Sequence, residues 1–172
     1  ENISDPIAFY DVDTLFIDKI SAPSALNGRT CILRREHDFN LNHNFPEYYP
    51  EFIGKSTSEV MPYLAGCIIT ANPKKLFSAL LLKCQKLPNR FHRWYGDQVA
   101  LKMLALENPK MFIEIEEKIY LKTFDKVLNQ ETFDSLKSQN TANIHFKGVS
   151  EKLFLYKSMA NLKSFRHKID EK

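Results

Sequence analysis

Tyr63-Leu64-Ala65-Gly66-Cys67-Ile68-Ile69, closed by Asn72-Pro73, is the stretch on which the fold turns. An apolar run this short, bounded by turn residues, predicts a buried strand. Proline suits the first turn of a helix, where its missing N–H has no partner to lose, and Asn72 stands where an N-cap would. Leu76, Phe77, Leu80, Leu81 and Cys84 then recur at helical spacing and predict one apolar helix face. A buried strand running directly into an amphipathic helix is the building unit of α/β proteins.

The same alternation continues in both directions. Toward the N-terminus, Cys31-Ile32-Leu33-Arg34 predicts a short strand, and Ile7-Ala8-Phe9-Tyr10 a buried one ending at Asp11-Val12-Asp13. Leu15-Phe16-Ile17 is a further apolar patch, with a turn after it at Ser21-Ala22-Pro23-Ser24. From Arg35 to Ser58 the chain is rich in His, Asn, Pro and Tyr and has little periodicity, as expected of a functional loop. Toward the C-terminus a helix is expected from near Gly96, with Val99, Leu101, Met103 and Leu104 in a dense apolar run. Phe112 to Ile115 alternates like a strand, Thr123 to Ser138 reads as loosely helical, Asn143 to Phe146 as extended, and Leu153 to Phe165 as a closing helix. Strand and helix alternate throughout, so the expected class is α/β, and residues 1–172 hold no repeat or linker that would divide two domains.

Composition excludes several functions. A chain that is 44% hydrophobic and 26% charged is not generally disordered. The net charge of +3 is too small to drive nucleic-acid binding by bulk electrostatics. With 5 glycines in 172 residues there is no Gly-rich phosphate loop. No apolar run approaches the roughly 20 residues that cross a bilayer. The 3 cysteines are widely spaced, which favours reduced thiols in a reducing compartment and a cytoplasmic location. The first residue is Glu1 rather than Met, which reads as a processed piece or the loss of an upstream segment.

Four segments carry side chains suited to chemistry. In extended chain, residues two apart face the same side, so Asp11 and Asp13 would present two carboxylates to one spot. Two hard oxygen ligands suit Mg²⁺ or Mn²⁺, although a solvated turn would use the same residues. Gly66 lies inside a predicted strand, where glycine marks either close approach of a ligand or a bulge. Trp94-Tyr95-Gly96-Asp97-Gln98 opens a helix; capping explains Asp97, whereas Gln98 gains nothing from it and can orient a polar ligand. His145-Phe146-Lys147-Gly148, with Lys152 behind it, offers an imidazole and ammonium groups to a metal diphosphate.

Taken in order, these segments resemble the GT-A nucleotide-sugar glycosyltransferases, especially the family 8-like group of galactosyl- and glucosyltransferases and glycogenin-like proteins. The resemblance is carried by Phe9-Tyr10-Asp11-Val12-Asp13-Thr14-Leu15, Leu64-Ala65-Gly66-Cys67, Trp94-Tyr95-Gly96-Asp97-Gln98, and His145-Phe146-Lys147-Gly148 with Lys152. It implies a GT-A-like mixed sheet flanked by helices but lacking the N-terminal nucleotide-binding strands. It also implies Mn²⁺ or Mg²⁺ held by Asp11, Asp13 and His145. By the same resemblance Gly66 lies at the donor-sugar pocket, and Asp97 and Gln98 lie near the transferred sugar as the catalytic pair. Gly148 and Lys152 form the diphosphate-binding turn. Leu64 stands where the family often has Asn, and Lys152 falls one residue later than the usual spacing, so Lys147 shares the claim on phosphate. The implied activity is metal-dependent transfer of a hexose from a nucleotide-sugar donor, UDP-sugar first, to a glycan, lipid-linked or protein acceptor.

In that family the base-binding strands precede the Asp-x-Asp strand. Only ten residues precede Asp11 here, so the chain reads as the C-terminal catalytic part of a larger GT-A domain. Alone it would bind nucleotide sugar poorly and expose an apolar sheet edge. Two other readings stay open. A haloacid-dehalogenase-like phosphatase also opens with two such acids after an apolar strand, and Asp11-Val12-Asp13-Thr14 fits that locally. A non-catalytic sugar-binding remnant of the GT-A framework is the other. The basic tail from Lys163 to Lys172 reads as a solvated helix end, the alternative being peripheral contact with anionic lipid.

Overall fold

A computed structural model describes residues 6–19, 26–36, 49–92, 95–120, 122–123, 126–139, 141, 143–146 and 149–162. In chain order the elements are β1 (Ile7–Tyr10), β2 (Thr14–Phe16), β3 (Thr30–Arg34), α1 (Thr57–Val60), β4 (Tyr63–Thr70), α2 (Pro73–Lys86) and α3 (Gly96–Glu107). They continue with β5 (Phe112–Glu116), α4 (Glu117–Tyr120), β6 (Lys122–Thr123), α5 (Gln130–Ser138), β7 (Asn143–His145) and α6 (Val149–Asn161). The chain divides into two compact units, one of Glu1–Phe9 with Ala22–Glu117 and one of Tyr10–Ser21 with Lys118–Lys172. The α/β class expected from the alternation of elements is the one observed.

The first unit is built on a mixed four-stranded sheet in the order β1-β4-β3-β5. β3 runs antiparallel to β4 and parallel to β5. Every residue of β4 is buried, as its apolar run requires. Ile32, Ile68, Leu76, Leu101, Leu104 and Phe112 fuse the sheet and helices α2 and α3 into one core. β1 departs from the expected buried strand: it is an edge strand, and Phe9 remains 44% exposed. The predicted apolar face of α2 is narrower than its spacing suggested. Leu76 is fully buried, whereas Leu81 lies on the solvent side.

Two local details bear on the sequence reading. Pro73 occupies the first helical position of α2 and Asn72 holds the N-cap position, but the Asn72 side chain makes no capping hydrogen bond. Its amide Nδ2 instead donates to the Gly28 carbonyl at 2.6 Å, tying α2 to the turn before β3, where Gly28 has φ +75°. Within the segment expected to be a functional loop, residues 37–48 lie outside the described set. Tyr49 and Phe52 are core residues, stacked with ring centroids 5.3 Å apart and packed on Phe91.

The second unit holds a three-stranded sheet in the order β2-β7-β6, antiparallel between β2 and β7 and parallel between β6 and β7. One face carries Leu15, Ile17, Ile144 and Phe146 into a core completed by Phe133 of α5 and Leu155 of α6. Among the described residues of the stretch expected to be loosely helical, Thr123 to Ser138, the helix starts at Gln130, where Asn129 Oδ1 accepts from Thr132 N at 2.8 Å. The sequence there could not show that Lys122–Thr123 finds a strand partner in β7, because that pairing is long-range. α6 begins at Val149, ahead of the expected Leu153. Among the described residues no helix is long and apolar enough to cross a membrane.

Candidate metal centre

The centre is assembled where β2 begins and β7 ends. Antiparallel register pairs Thr14 with His145, and Phe146 N donates to the Asp13 carbonyl at 3.0 Å. Asp13, one residue before Thr14, is thereby held beside the imidazole. Asp11 arrives by a different route from the one expected. The main chain from Asp11 to Thr14 forms a turn, closed by Thr14 N donating to the Asp11 carbonyl at 3.2 Å, with Val12 exposed at its tip. The two carboxylates therefore converge through a turn rather than by strand alternation.

His145 Nε2 lies 2.8 Å from Asp13 Oδ1 and 3.6 Å from Asp11 Oδ2. One ligand atom from each of the three residues falls within 4.8 Å of the others. The Asp13 and His145 side chains are 11% and 8% exposed, while Asp11 at 45% leaves the group open on one side. On α6, Lys152 Nζ approaches Asp13 Oδ2 at 3.4 Å. With a neutral imidazole, two carboxylates and one ammonium carry a single net negative charge. Two oxygen donors and one imidazole nitrogen make a donor set that fits Mn²⁺, and Mg²⁺ less closely because it favours oxygen.

The remaining sequence-chosen residues belong to the first unit or lie outside the described residues. Lys147 and Gly148 lie outside the described residues. Gly66 belongs to the first unit, within a break of register: Ile32 pairs with Ile68, but its neighbour Leu33 pairs with Leu64. Ala65, Gly66 and Cys67 are the residues left over, so the glycine lies in an irregularity of the β3–β4 pairing.

Asp97 and Gln98 also belong to the first unit, in the first turn of α3. Asp97 Oδ1 accepts from Gln98 N at 2.8 Å, which suits a carboxylate at a helix N-terminus. The Gln98 side-chain oxygen accepts from the guanidinium of Arg35, whose Nε donates to the Met61 carbonyl at 3.2 Å. Sequence reasoning missed Arg35 entirely, and nothing in its neighbourhood marks it. Gly96 is required for another reason: a Cβ there would stand 2.3 Å from the Phe91 carbonyl oxygen.

Sequence reasoning also passed over two polar groups beside the triad. Asn143 is completely buried, and its amide nitrogen and oxygen both lack a hydrogen-bond partner among the described residues. The Thr14 hydroxyl is buried in the same condition. Two buried groups of the first unit are held or unreactive. The Tyr63 hydroxyl donates to Glu114, and burial together with that acceptor pushes its pKa from 10.0 up to about 12. Burial raises the Cys31 thiol to about 11, which makes it a poor nucleophile. No family model, curated protein or solved structure matches the chain.

Proposed function

We propose that the second unit carries the metal centre of a GT-A-type nucleotide-sugar glycosyltransferase, moving a hexose from a UDP-sugar to a glycan, lipid or protein acceptor. The observation that supports this reading is the convergence of Asp11, Asp13 and His145. These are the three residues that the resemblance names as metal ligands, and no local rule of sequence brings His145 to the two acids, 132 residues away from Asp13. Asp11 and Asp13 supply the two oxygen donors and His145 the nitrogen. Bound there, Mn²⁺ or Mg²⁺ supplies charge stabilisation for a departing nucleoside diphosphate.

The chain's own groups do the rest. The single net negative charge of the two acids and Lys152 becomes a single positive charge once a divalent cation is added, which suits a diphosphate. Lys152, 3.4 Å from Asp13, stands ready as a second counter-charge to phosphate. Asp13 and His145 already lie in hydrogen-bond contact, and a cation bound there would take the place of the proton between Asp13 Oδ1 and His145 Nε2. The roles of Asp97 and Gln98 near the transferred sugar, of Gly66 at the donor pocket and of Lys147 and Gly148 at the diphosphate turn belong to the same proposal.

The test begins with calorimetric titration of Mn²⁺ into the wild-type chain and Asp13→Asn, followed by turnover assays with UDP-glucose, UDP-galactose and an aryl phosphate. Mn²⁺ binding by the wild-type chain that is lost in the variant, with metal-dependent UDP release by the wild-type chain at high donor concentration, supports the reading. Equal Mn²⁺ binding by both proteins overturns the metal centre. Metal-dependent aryl phosphate hydrolysis without UDP release points to the phosphatase instead.

A further inference from the structure

The small sheet of the second unit has one face that the hydrophobic core does not use. Leu15 and Ile144 are cross-strand partners and both lie in the core. Side chains alternate along a strand, so Thr14, Asn143 and His145 project from the opposite face. Thr14 is paired with His145, and Asn143 precedes His145 by two residues, about 6.6 Å along the strand. A carboxamide and a hydroxyl therefore flank a residue of the metal triad on the face from which its imidazole projects.

Both are in an unfavourable state as they stand. Asn143 is 0% exposed with neither amide atom bonded, and the Thr14 hydroxyl is buried without a partner among the described residues. An unpaired buried polar group costs about 1–3 kcal/mol. An aliphatic residue at position 143 would avoid that cost and would suit a strand better. Local rules of stability are most often broken where a site needs the group for something else.

We infer that Thr14 and Asn143 form a neutral subsite that hydrogen-bonds water in the outer shell of the divalent cation; this rests on the metal-centre reading above. Mg²⁺ and Mn²⁺ are bound through few protein ligands and keep several waters. Such waters give their oxygen lone pair to the cation and donate to an amide or hydroxyl oxygen. The amide oxygen of Asn143 and the hydroxyl oxygen of Thr14 both accept and add no charge, so the balance that suits a diphosphate is unchanged. Outer partners of this kind orient the ligands and tune affinity. Thr14 and Asn143 are thus positioning residues rather than ligands.

The experiment compares the wild-type chain with Asn143→Leu, Asn143→Ser and Thr14→Val. Three readouts are taken: thermal stability without metal, Mn²⁺ affinity by calorimetry, and water-proton relaxation by bound Mn²⁺. Asn143→Leu is expected to be as stable as wild type or more so, yet to bind Mn²⁺ about tenfold more weakly with altered relaxation. Asn143→Ser should recover part of the affinity, and Thr14→Val should lose affinity without losing stability. Thr14→Val carries the test if Asn143→Leu does not fold. Wild-type affinity and relaxation in both Asn143→Leu and Thr14→Val would overturn the subsite while leaving the metal centre standing. Failure of the wild-type chain to bind Mn²⁺ would overturn the metal centre itself and the subsite with it.

Discussion

His145 Nε2 stands 2.8 Å from Asp13 Oδ1, although 132 residues separate them along the chain. The contact is set by one strand pair. β2 and β7 are three residues each, and their register places Thr14 opposite His145. A slip of one residue would turn the imidazole to the core face and dismantle the triad.

Removing a ligand should therefore weaken metal binding more than removing an outer partner. Asp13→Asn and His145→Ala are each expected to lower Mn²⁺ affinity by about a hundredfold or more, beyond the range typical of outer-shell changes. Asp11→Asn should cost less, because Asp11 is half-exposed and lies farther from His145. Calorimetric Mn²⁺ titration ranks the three, and an equal effect of all would contradict the geometry.

Gly96 should not tolerate even one methyl group. Its Cβ would meet the Phe91 carbonyl oxygen at 2.3 Å, and that oxygen is main chain, so the turn from Asn89 to His92 has to shift. Gly96→Ala is expected to destabilise by about 1–3 kcal/mol, as other small-to-large changes in packed sites do. Urea denaturation measures it; an unchanged midpoint would mean that the turn yields freely.

Tyr63 should make the fold sensitive to alkali. Only the protonated phenol can donate to Glu114, and the folded pKa of about 12 exceeds the ordinary 10.0. A group whose pKa is raised on folding contributes stability that is complete below its unfolded pKa and lost as pH climbs through the folded one. The expected loss runs from about pH 10 to pH 12. Tyr63→Phe should flatten that part of a melting-temperature profile, and an identical profile would remove Tyr63 as its cause.

Gln98 should matter to stability whatever else it does. It accepts from the Arg35 guanidinium, so Gln98→Leu leaves a half-buried cation without that acceptor. The expected loss is about 1–3 kcal/mol by urea denaturation. A variant of wild-type stability would show that Arg35 satisfies itself elsewhere. Gln98→Glu, which keeps the acceptor, should remain stable and serves as the control.

What was legible in the sequence was local. The apolar run of β4 and the helical spacing from Leu76 to Cys84 specified buried strand and amphipathic helix, because both periodicities arise from the geometry of a single element. Asp11, Asp13 and His145 were visible as residues with ligand chemistry, and Gly66 as a strand glycine in need of a reason. Less was legible wherever a polar group had a choice of partner. Asn72 had the composition and position of an N-cap, but the Gly28 carbonyl, 44 residues away, offered a 2.6 Å hydrogen bond instead. Arg35 gave no sign of its link to Gln98, which spans 63 residues.

By itself, then, the sequence determined the class of the fold and the inventory of chemical groups, since periodicity and side-chain chemistry act within a few residues. Tertiary structure alone decided which groups meet. The β2–β7 register gathered the triad, a break in β3–β4 pairing placed Gly66 in an irregular stretch of its strand, and the edge position of β1 left Phe9 exposed. Pairing between strands depends on the main chain of distant segments, which is nearly the same for every residue. Partners are therefore chosen by the packing of the whole unit and cannot be read from either strand alone.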